Sequence, residues 1–168
     1  MSGKTFSDYK GIILGKMIEN TELLKALTIN QSDFITPSLI INPPDAIYNY
    51  IFPYSIHPDI ISETKSIITM KFTGFSYDGV KYQNGKIYFY TICHQSLIRT
   101  DFGNRYDYIY EQLRILFNNN RKLGIGKSII SLTEDLTINK DYLGNVCCLE
   151  ISDFKYVYCK WTIILNHT

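Results

Sequence analysis

The chain has 168 residues and nearly balanced charge, with 17 Lys and Arg against 16 Asp and Glu. The net charge of +1 removes the electrostatic argument for nucleic-acid binding, which usually needs a clear basic excess. Apolar residues make up 45% of the chain, which excludes a disordered tail and predicts a single domain over 1–168. Because β-branched and aromatic residues favour strands, we expect more sheet than helix.

The start of the chain lacks the apolar stretch of a secretory signal, and no uncharged run is long enough to span a membrane. We therefore expect neither a secreted protein nor a membrane partner. The cysteines form no C-x-x-C pair, so we predict that they are reduced apolar residues and that no metal or other cofactor is bound. They are Cys93, Cys147, Cys148 and Cys159.

Residues 6–27 predict one N-terminal helix, with Ser7 or Thr5 as its N-cap. Gly11 and Gly15 lie inside it, where glycine weakens a helix by about 1 kcal/mol relative to alanine. These glycines either destabilise the helix or permit the close approach of a neighbouring element.

Residues 28–64 form an extended apolar arm that contains all five prolines of the chain. Proline fixes the backbone and removes a hydrogen-bond donor, so the arm predicts an extended connection. Two interpretations are open: a long loop over the domain's own core, or an arm that packs on another subunit. If the arm packs on another subunit, its rigid and aromatic residues are the expected anchors of that interface. The candidates are Pro43, Pro44, Tyr48, Phe52, Pro53 and Tyr54.

Alternating apolar residues predict two antiparallel strands over 66–75 and 86–94, with Asp78-Gly79 and Asn84-Gly85 as turn signals. A helix is predicted over 105–119, because its apolar residues recur with helical spacing and form one stripe. That stripe consists of Tyr106, Ile109, Tyr110, Leu113, Leu116 and Phe117.

Two further strands are predicted over 128–139 and 146–153, joined by a turn at 142–145. Residues 155–165 are either a third strand or an extended tail. The order is therefore α-arm-β-β-α-β-β. Strands in hairpins rather than βαβ crossovers predict an α+β fold, with a mainly antiparallel sheet, an N-terminal helix and one helix packed on the sheet.

Two short motifs resemble functional sites, but neither lies in the structural context that its chemistry requires. Residues 124–128, GIGKS, resemble the end of a phosphate-binding loop, but Arg121 stands where its first glycine belongs and a helix precedes it. A helix C-cap and turn is the preferred interpretation. Cys93 and His94 are adjacent in a strand and point to opposite faces, so they cannot form a nucleophile–base pair. We predict no catalytic residue and no enzyme activity.

Arg99, Asp101 and Arg105 lie in the loop before the second predicted helix. Two arginines beside an aspartate can form a bidentate ion pair, either within the loop or across an interface. The pair within the loop, fixing the start of the helix, is the preferred interpretation. The three residues remain candidates for an interface.

The run 87–105, IYFYTICHQSLIRTDFGNR, continues into YDYIYEQLRILF at 106–117 and GIGK at 124–127. In this run and its element order the chain resembles small virion proteins of the head–tail joining region of tailed bacteriophages, in particular tail terminators. The resemblance implies a non-enzymatic subunit of a ring, usually of six copies, at the head–tail junction of the virion. It implies contacts with adjacent neck, connector and tail proteins, and a location in the host cytoplasm during assembly. The alternative is a small cytoplasmic enzyme or nucleotide-binding protein of unknown chemistry.

Overall fold

The computed structural model describes residues 6–56, 63–76, 84–120 and 127–152. The helices are α1 (Phe6–Glu19), α2 (Thr21–Thr28), α3 (Gln95–Ile98) and α4 (Arg105–Phe117). The strands are β1 (Ile51–Phe52), β2 (Ser66–Thr73), β3 (Asn84–His94), β4 (Arg99–Thr100), β5 (Gly103–Asn104), β6 (Lys127–Thr137) and β7 (Tyr142–Ser152).

Five of the strands form one sheet in the order β1-β2-β3-β7-β6. The pairs β2–β3, β3–β7 and β7–β6 are antiparallel, and only the short β1 runs parallel to its neighbour. Strands β4 and β5 form a separate small hairpin. The predicted α+β fold with a mainly antiparallel sheet is confirmed.

The helices cover one face of this sheet, which we call the inner face. Period-2 alternation directs Ile68 and Met70 of β2, and Phe89 of β3, into a core that they share with α1, α2 and α4. The Phe89 ring stacks on Phe117 of α4, with ring centroids 5.3 Å apart. The predicted stripe of α4 therefore faces the sheet, with Ile109, Leu113 and Phe117 fully buried.

This packing predicts that alanine substitutions along α4 lower the free energy of unfolding by different amounts. Leu113→Ala is expected to lower the free energy of unfolding by about 2–5 kcal/mol, because the fully buried side chain would leave a cavity. Leu116 is half-buried, so Leu116→Ala should cost less. Ile115 is 64% exposed, and Ile115→Ala should change stability by no more than about 0.5 kcal/mol. Urea unfolding of the three variants measures the order, and equal losses would contradict the packing.

The N-terminal helical segment predicted over 6–27 is confirmed as helical but not as one continuous helix, because the chain breaks at Asn20. The Asn20 side-chain oxygen accepts a hydrogen bond from the Leu23 N–H at 2.9 Å and caps α2. The break allows α1 and α2 to bury their apolar faces separately in one core. A Cβ at Gly11 or Gly15 would meet no atom within 4 Å, so neither glycine permits a close approach.

The turn predicted at 142–145 is also wrong, since β7 already begins at Tyr142. The chain turns earlier, where the Asn139 side-chain oxygen accepts hydrogen bonds from the N–H groups of Asp141 and Tyr142. The Asn84-Gly85 turn signal lies within β3, where it pairs with β7. The Asp78-Gly79 signal and the strand or tail expected over 155–165 lie outside the described residues.

The loop expected before α4 contains two unpredicted elements, the single-turn helix α3 and the β4–β5 hairpin. Helix α4 ends at Phe117, two residues before the predicted end. Asn119 adopts a left-handed backbone conformation, with φ of 54°, which asparagine tolerates better than most residues.

Candidate interaction surface

The arm contributes to the chain's own core and supplies one edge of the sheet. Phe34, Ala46 and Ile51 are fully buried. A 3-10 turn at Pro43–Ala46 and the strand β1 replace the purely extended connection that the prolines predicted. For these residues the interpretation as a loop over the domain's own core is correct.

Another part of the arm faces outward and forms a surface that we call the aromatic edge cluster, Tyr48, Phe52 and Tyr54. The Tyr48 and Tyr54 rings are stacked with centroids 6.3 Å apart, and Phe52 meets Tyr54 edge-on at 6.0 Å. Tyr48 is 61% and Tyr54 49% exposed, whereas Phe52 is half-buried against the sheet. The structure thus brings together three of the six arm residues predicted as interface anchors.

The backbone fixes this cluster at both ends. Tyr48 has a φ of 66°, a left-handed conformation that is a genuine outlier for a bulky residue. Its N–H donates to the Ile51 carbonyl oxygen at 2.9 Å, which closes the turn. At the other end the Thr69 hydroxyl donates to the Tyr54 carbonyl oxygen at 2.7 Å and accepts from the Ile56 N–H.

The three prolines named as interface candidates have different surroundings. Pro53 is buried, and its carbonyl oxygen accepts a hydrogen bond from the Lys10 ammonium at 3.2 Å. It therefore supports the cluster from within the chain and is not an exposed contact. Pro43 is half-buried and Pro44 is exposed at the start of the 3-10 turn.

The sheet face opposite the helices, the outer face, carries rows of side chains that run from edge to edge. A second hydrophobic cluster lies on it, and none of its residues belongs to a helix in the described part of the chain. Strand register defines one row as Phe52, Thr69, Tyr90, Val146 and Glu134. The next row is Lys71, Tyr88, Cys148 and Leu132.

The far edge of the sheet, β6, exposes a second apolar surface that the sequence analysis missed. Ile129 is 42% and Leu132 39% exposed. Leu132 and Leu136 share the outer face with Glu134 between them, so the run lacks a clean alternation of apolar and polar residues and gave no clear signal for this surface.

Strand β6 is only partly closed along its outer edge. The N–H groups of Ser128 and Ile130 donate to the Asn120 carbonyl oxygen and to the Asn118 side chain. Beyond the bulge between Ile130 and Leu132, β6 pairs only with β7 among the described residues. Within the described part of the chain, that half of β6 is thus an open sheet edge.

The sequence makes Arg105 a candidate for contact with another subunit, but its side chain is buried within the chain, with only 1% exposed. The predicted ion pair with Asp101 is wrong. The Arg105 guanidinium instead donates to backbone carbonyl oxygens at 2.6–2.8 Å, those of Leu97, Ala26, Ile29 and Gln31. Arg99 and Asp101 are exposed on the small hairpin, where the Asp101 N–H donates to the Ser32 carbonyl oxygen.

Carbonyl dipoles and an aromatic ring stabilise this buried charge. Two of the acceptors, Ala26 and Ile29, lie at the C-terminal end of α2, where the helix dipole favours a cation. The guanidinium also lies over the Phe34 ring, 4.8 Å from its centroid. Burial lowers the pKa of Arg105, but an arginine remains protonated in proteins. Arg105 therefore joins α2, the beginning of the arm and the start of α4.

Cys93 and His94 are separated by the sheet, as their adjacency predicted. Cys93 is fully buried on the inner face, and burial raises the pKa of its thiol to about 11. His94 packs edge-on against Tyr142, and its Nδ1 lies 2.8 Å from the Ser96 hydroxyl oxygen. The cysteines in the described chain, Cys93, Cys147 and Cys148, are free and buried, whereas Cys159 lies outside it.

Only the end of the GIGKS pattern can be placed, because 124–126 lie outside the described residues. Lys127 and Ser128 begin β6, and the Ser128 hydroxyl donates to the Phe117 carbonyl oxygen. The described ranges contain no group of three His, Cys, Asp or Glu residues placed to hold a metal ion. No helix within them is long and apolar enough to cross a bilayer.

The geometry defines a small α+β protein with a layered core and two exposed apolar surfaces at opposite sheet edges. The chain belongs to the YomW family, which matches residues 20–151. The family name is phage-derived, and the chain is a phage-associated protein. No curated protein and no solved structure matches the chain.

Proposed function

We propose that this phage-associated chain is a structural, non-enzymatic virion subunit that assembles into a ring at the head–tail junction. Its place would be that of a tail terminator or neck protein, in a ring of six copies that contacts connector and tail proteins. During assembly it would be in the host cytoplasm. The family and the sequence resemblance support the phage context, and the aromatic edge cluster supports an assembly role.

One observation carries the proposal: the stacked and exposed Tyr48 and Tyr54 at the edge of the sheet. Clustered aromatic side chains are typical anchors of protein interfaces, because they bury a large area with few rotatable bonds. The turn that leads into β1 holds Tyr48 in a left-handed backbone conformation, with its side chain 61% exposed.

The net charge of +1 is consistent with self-assembly and gives no reason to propose sequence-specific nucleic-acid binding. No arrangement of catalytic or nucleotide-binding groups among the described residues favours the alternative of an enzyme or a nucleotide-binding protein. That alternative remains an outcome of the experiment, because an enzyme need not be incorporated into particles.

Tyr48→Ala combined with Tyr54→Ala is expected to weaken self-association at least tenfold while leaving the melting temperature nearly unchanged. The side chains are largely exposed in the free subunit, and a tenfold loss corresponds to about 1.4 kcal/mol. Phe52 is left intact, since it is half-buried against the sheet and its removal would also affect folding. Sedimentation velocity gives the association, and thermal unfolding gives the stability.

Ile115→Ala is the matched control, because Ile115 is at least as exposed as either tyrosine and belongs to α4, not to the cluster. A double variant that associates normally but melts early would assign the tyrosines to the chain's own packing. A wild-type chain that is monomeric and absent from purified particles would contradict the proposed function itself.

A further inference from the structure

We propose that neighbouring copies meet head to tail, with the aromatic edge cluster of one copy against the open half of β6 in the next. This inference rests on the proposed function, since it names the surfaces that would close the ring. The occupant of both surfaces is a second copy of this chain.

The first argument is the position of the two exposed surfaces. Strands β1 and β6 are the opposite edges of one sheet, four strand spacings or roughly 19 Å apart. One molecule therefore cannot cover its own β6 surface with its own aromatic edge cluster. Contact between two different surfaces is heterologous, and a heterologous contact that closes gives a ring rather than a two-fold dimer.

The second argument is the register of the side-chain rows on the outer face. Phe52 begins the row that ends at Glu134, and Lys71 begins the exposed part of the row that ends at Leu132. Strand β1 ends at Phe52, where the chain bends, and the Tyr54 carbonyl oxygen then accepts a hydrogen bond from the Thr69 hydroxyl, so Tyr54 lies beside the row of Phe52 and Thr69. If the rows continue into a neighbour, the neighbour's Glu134 comes opposite Phe52 and its Leu132 lies one row further along, where apolar surface meets the aromatic edge cluster.

The third argument is charge. Lys71 is exposed on the outer face, and no ion pair involves it within the described residues. The same is true of Glu134 on β6. With the neighbour's Glu134 beside Phe52, Lys71 lies one strand further in and one row along, roughly 12 Å away between Cα atoms, a gap that the two long side chains can span together. The two edges are thus complementary in charge as well as in apolar character.

Strand β6 has features that restrict which partners can pair with its exposed edge. An open edge strand invites uncontrolled pairing, and natural proteins limit it with bulges and charged residues. Strand β6 has a bulge between Ile130 and Leu132, followed by the exposed acids Glu134 and Asp135. These features disfavour indiscriminate strand addition, while a partner that offers a cation and an aromatic surface remains acceptable.

The decisive experiment cross-links assembled protein through introduced cysteines, Tyr54→Cys and Leu132→Cys, in a Cys159→Ser background with a short bismaleimide. The chain with both substitutions should give a ladder of covalent oligomers. Each single substitution should give none, and a mixture of the two single variants should give dimers only. The Cys159→Ser chain without introduced cysteines is treated in the same way, and any cross-linking it gives is the background from the buried native thiols.

Charge reversal provides an independent readout in solution. Lys71→Glu and Glu134→Lys should each weaken self-association about tenfold, and the chain with both reversals should recover to within about threefold of wild type. Recovery in the double reversal separates a contact between these two residues from a general effect of surface charge.

Each outcome decides between the two proposals. Efficient dimers from either single cysteine variant would indicate a two-fold contact and overturn the head-to-tail arrangement. A double-cysteine chain that assembles like wild type without cross-linking would overturn the chosen surfaces and leave the ring function standing. A wild-type chain that never assembles would overturn both.

Discussion

Arg105→Met is expected to lower the free energy of unfolding by about 3–5 kcal/mol, because several buried backbone carbonyl oxygens lose their hydrogen-bond donor at once. The substitution leaves buried carbonyl oxygens at Ala26, Ile29 and Leu97 without their donors. Each orphaned acceptor costs about 1–3 kcal/mol, partly offset by removal of the desolvated charge. Urea unfolding measures the loss, and hydrogen exchange should show it first at the end of α2.

Arg99→Met is the matched control, since Arg99 is an exposed arginine on the hairpin that precedes α4. Its substitution should change stability by no more than about 0.5 kcal/mol. If Arg105→Met costs less than about 1 kcal/mol, the guanidinium does not hold these segments together and the arrangement is wrong.

Gly144→Ala is expected to cost about 3 kcal/mol, the upper end of the usual range for overpacking, because β7 approaches β3 too closely for a side chain at this position. An added Cβ would lie 1.8 Å from the Thr91 carbonyl oxygen. That oxygen belongs to the backbone of the paired strand, so it cannot move away as the end of a flexible side chain can. The change should displace the central β3–β7 pair, and both urea and thermal unfolding should detect it.

Gly11→Ala is the control for Gly144→Ala, because the same change of glycine to alanine should here stabilise the chain. No atom lies within 4 Å of a Cβ at Gly11, which is inside helix α1. Alanine there should stabilise the chain by about 0.5–1 kcal/mol through helix propensity. Similar destabilisation by both alanine variants would contradict the close approach at Gly144.

The two edges of the sheet explain how one small chain can hold a core and still present surfaces for assembly. The arm buries Phe34 and Ile51 inside the chain, yet it turns Tyr48 and Tyr54 outward. The interpretations that the sequence left open, core loop and docking arm, therefore apply to different residues of the same segment. The sharper test is accordingly at the tyrosines, since the prolines are divided between buried and exposed positions.

The sequence by itself determined the elements whose pattern is local. The apolar stripe of α4 and the alternation in β2 and β3 follow from periods of 3.6 and 2, and both were predicted from spacing alone. The α+β class followed from their order. The absence of a complete phosphate-binding pattern was also visible, because that pattern is defined by spacing along the chain.

Only the tertiary structure decided the features that depend on distant partners. The break at Asn20 follows from two helices that pack separately on one core. The two-residue strand β1, which local propensity could not identify, exists because the arm pairs with β2. The place of Arg105 depends on carbonyl groups more than 70 residues away in the sequence. A lone arginine before a helix carries no local signal of such burial. Likewise, the opposition of Tyr54 and Leu132 at two edges exists only once the strand order is set.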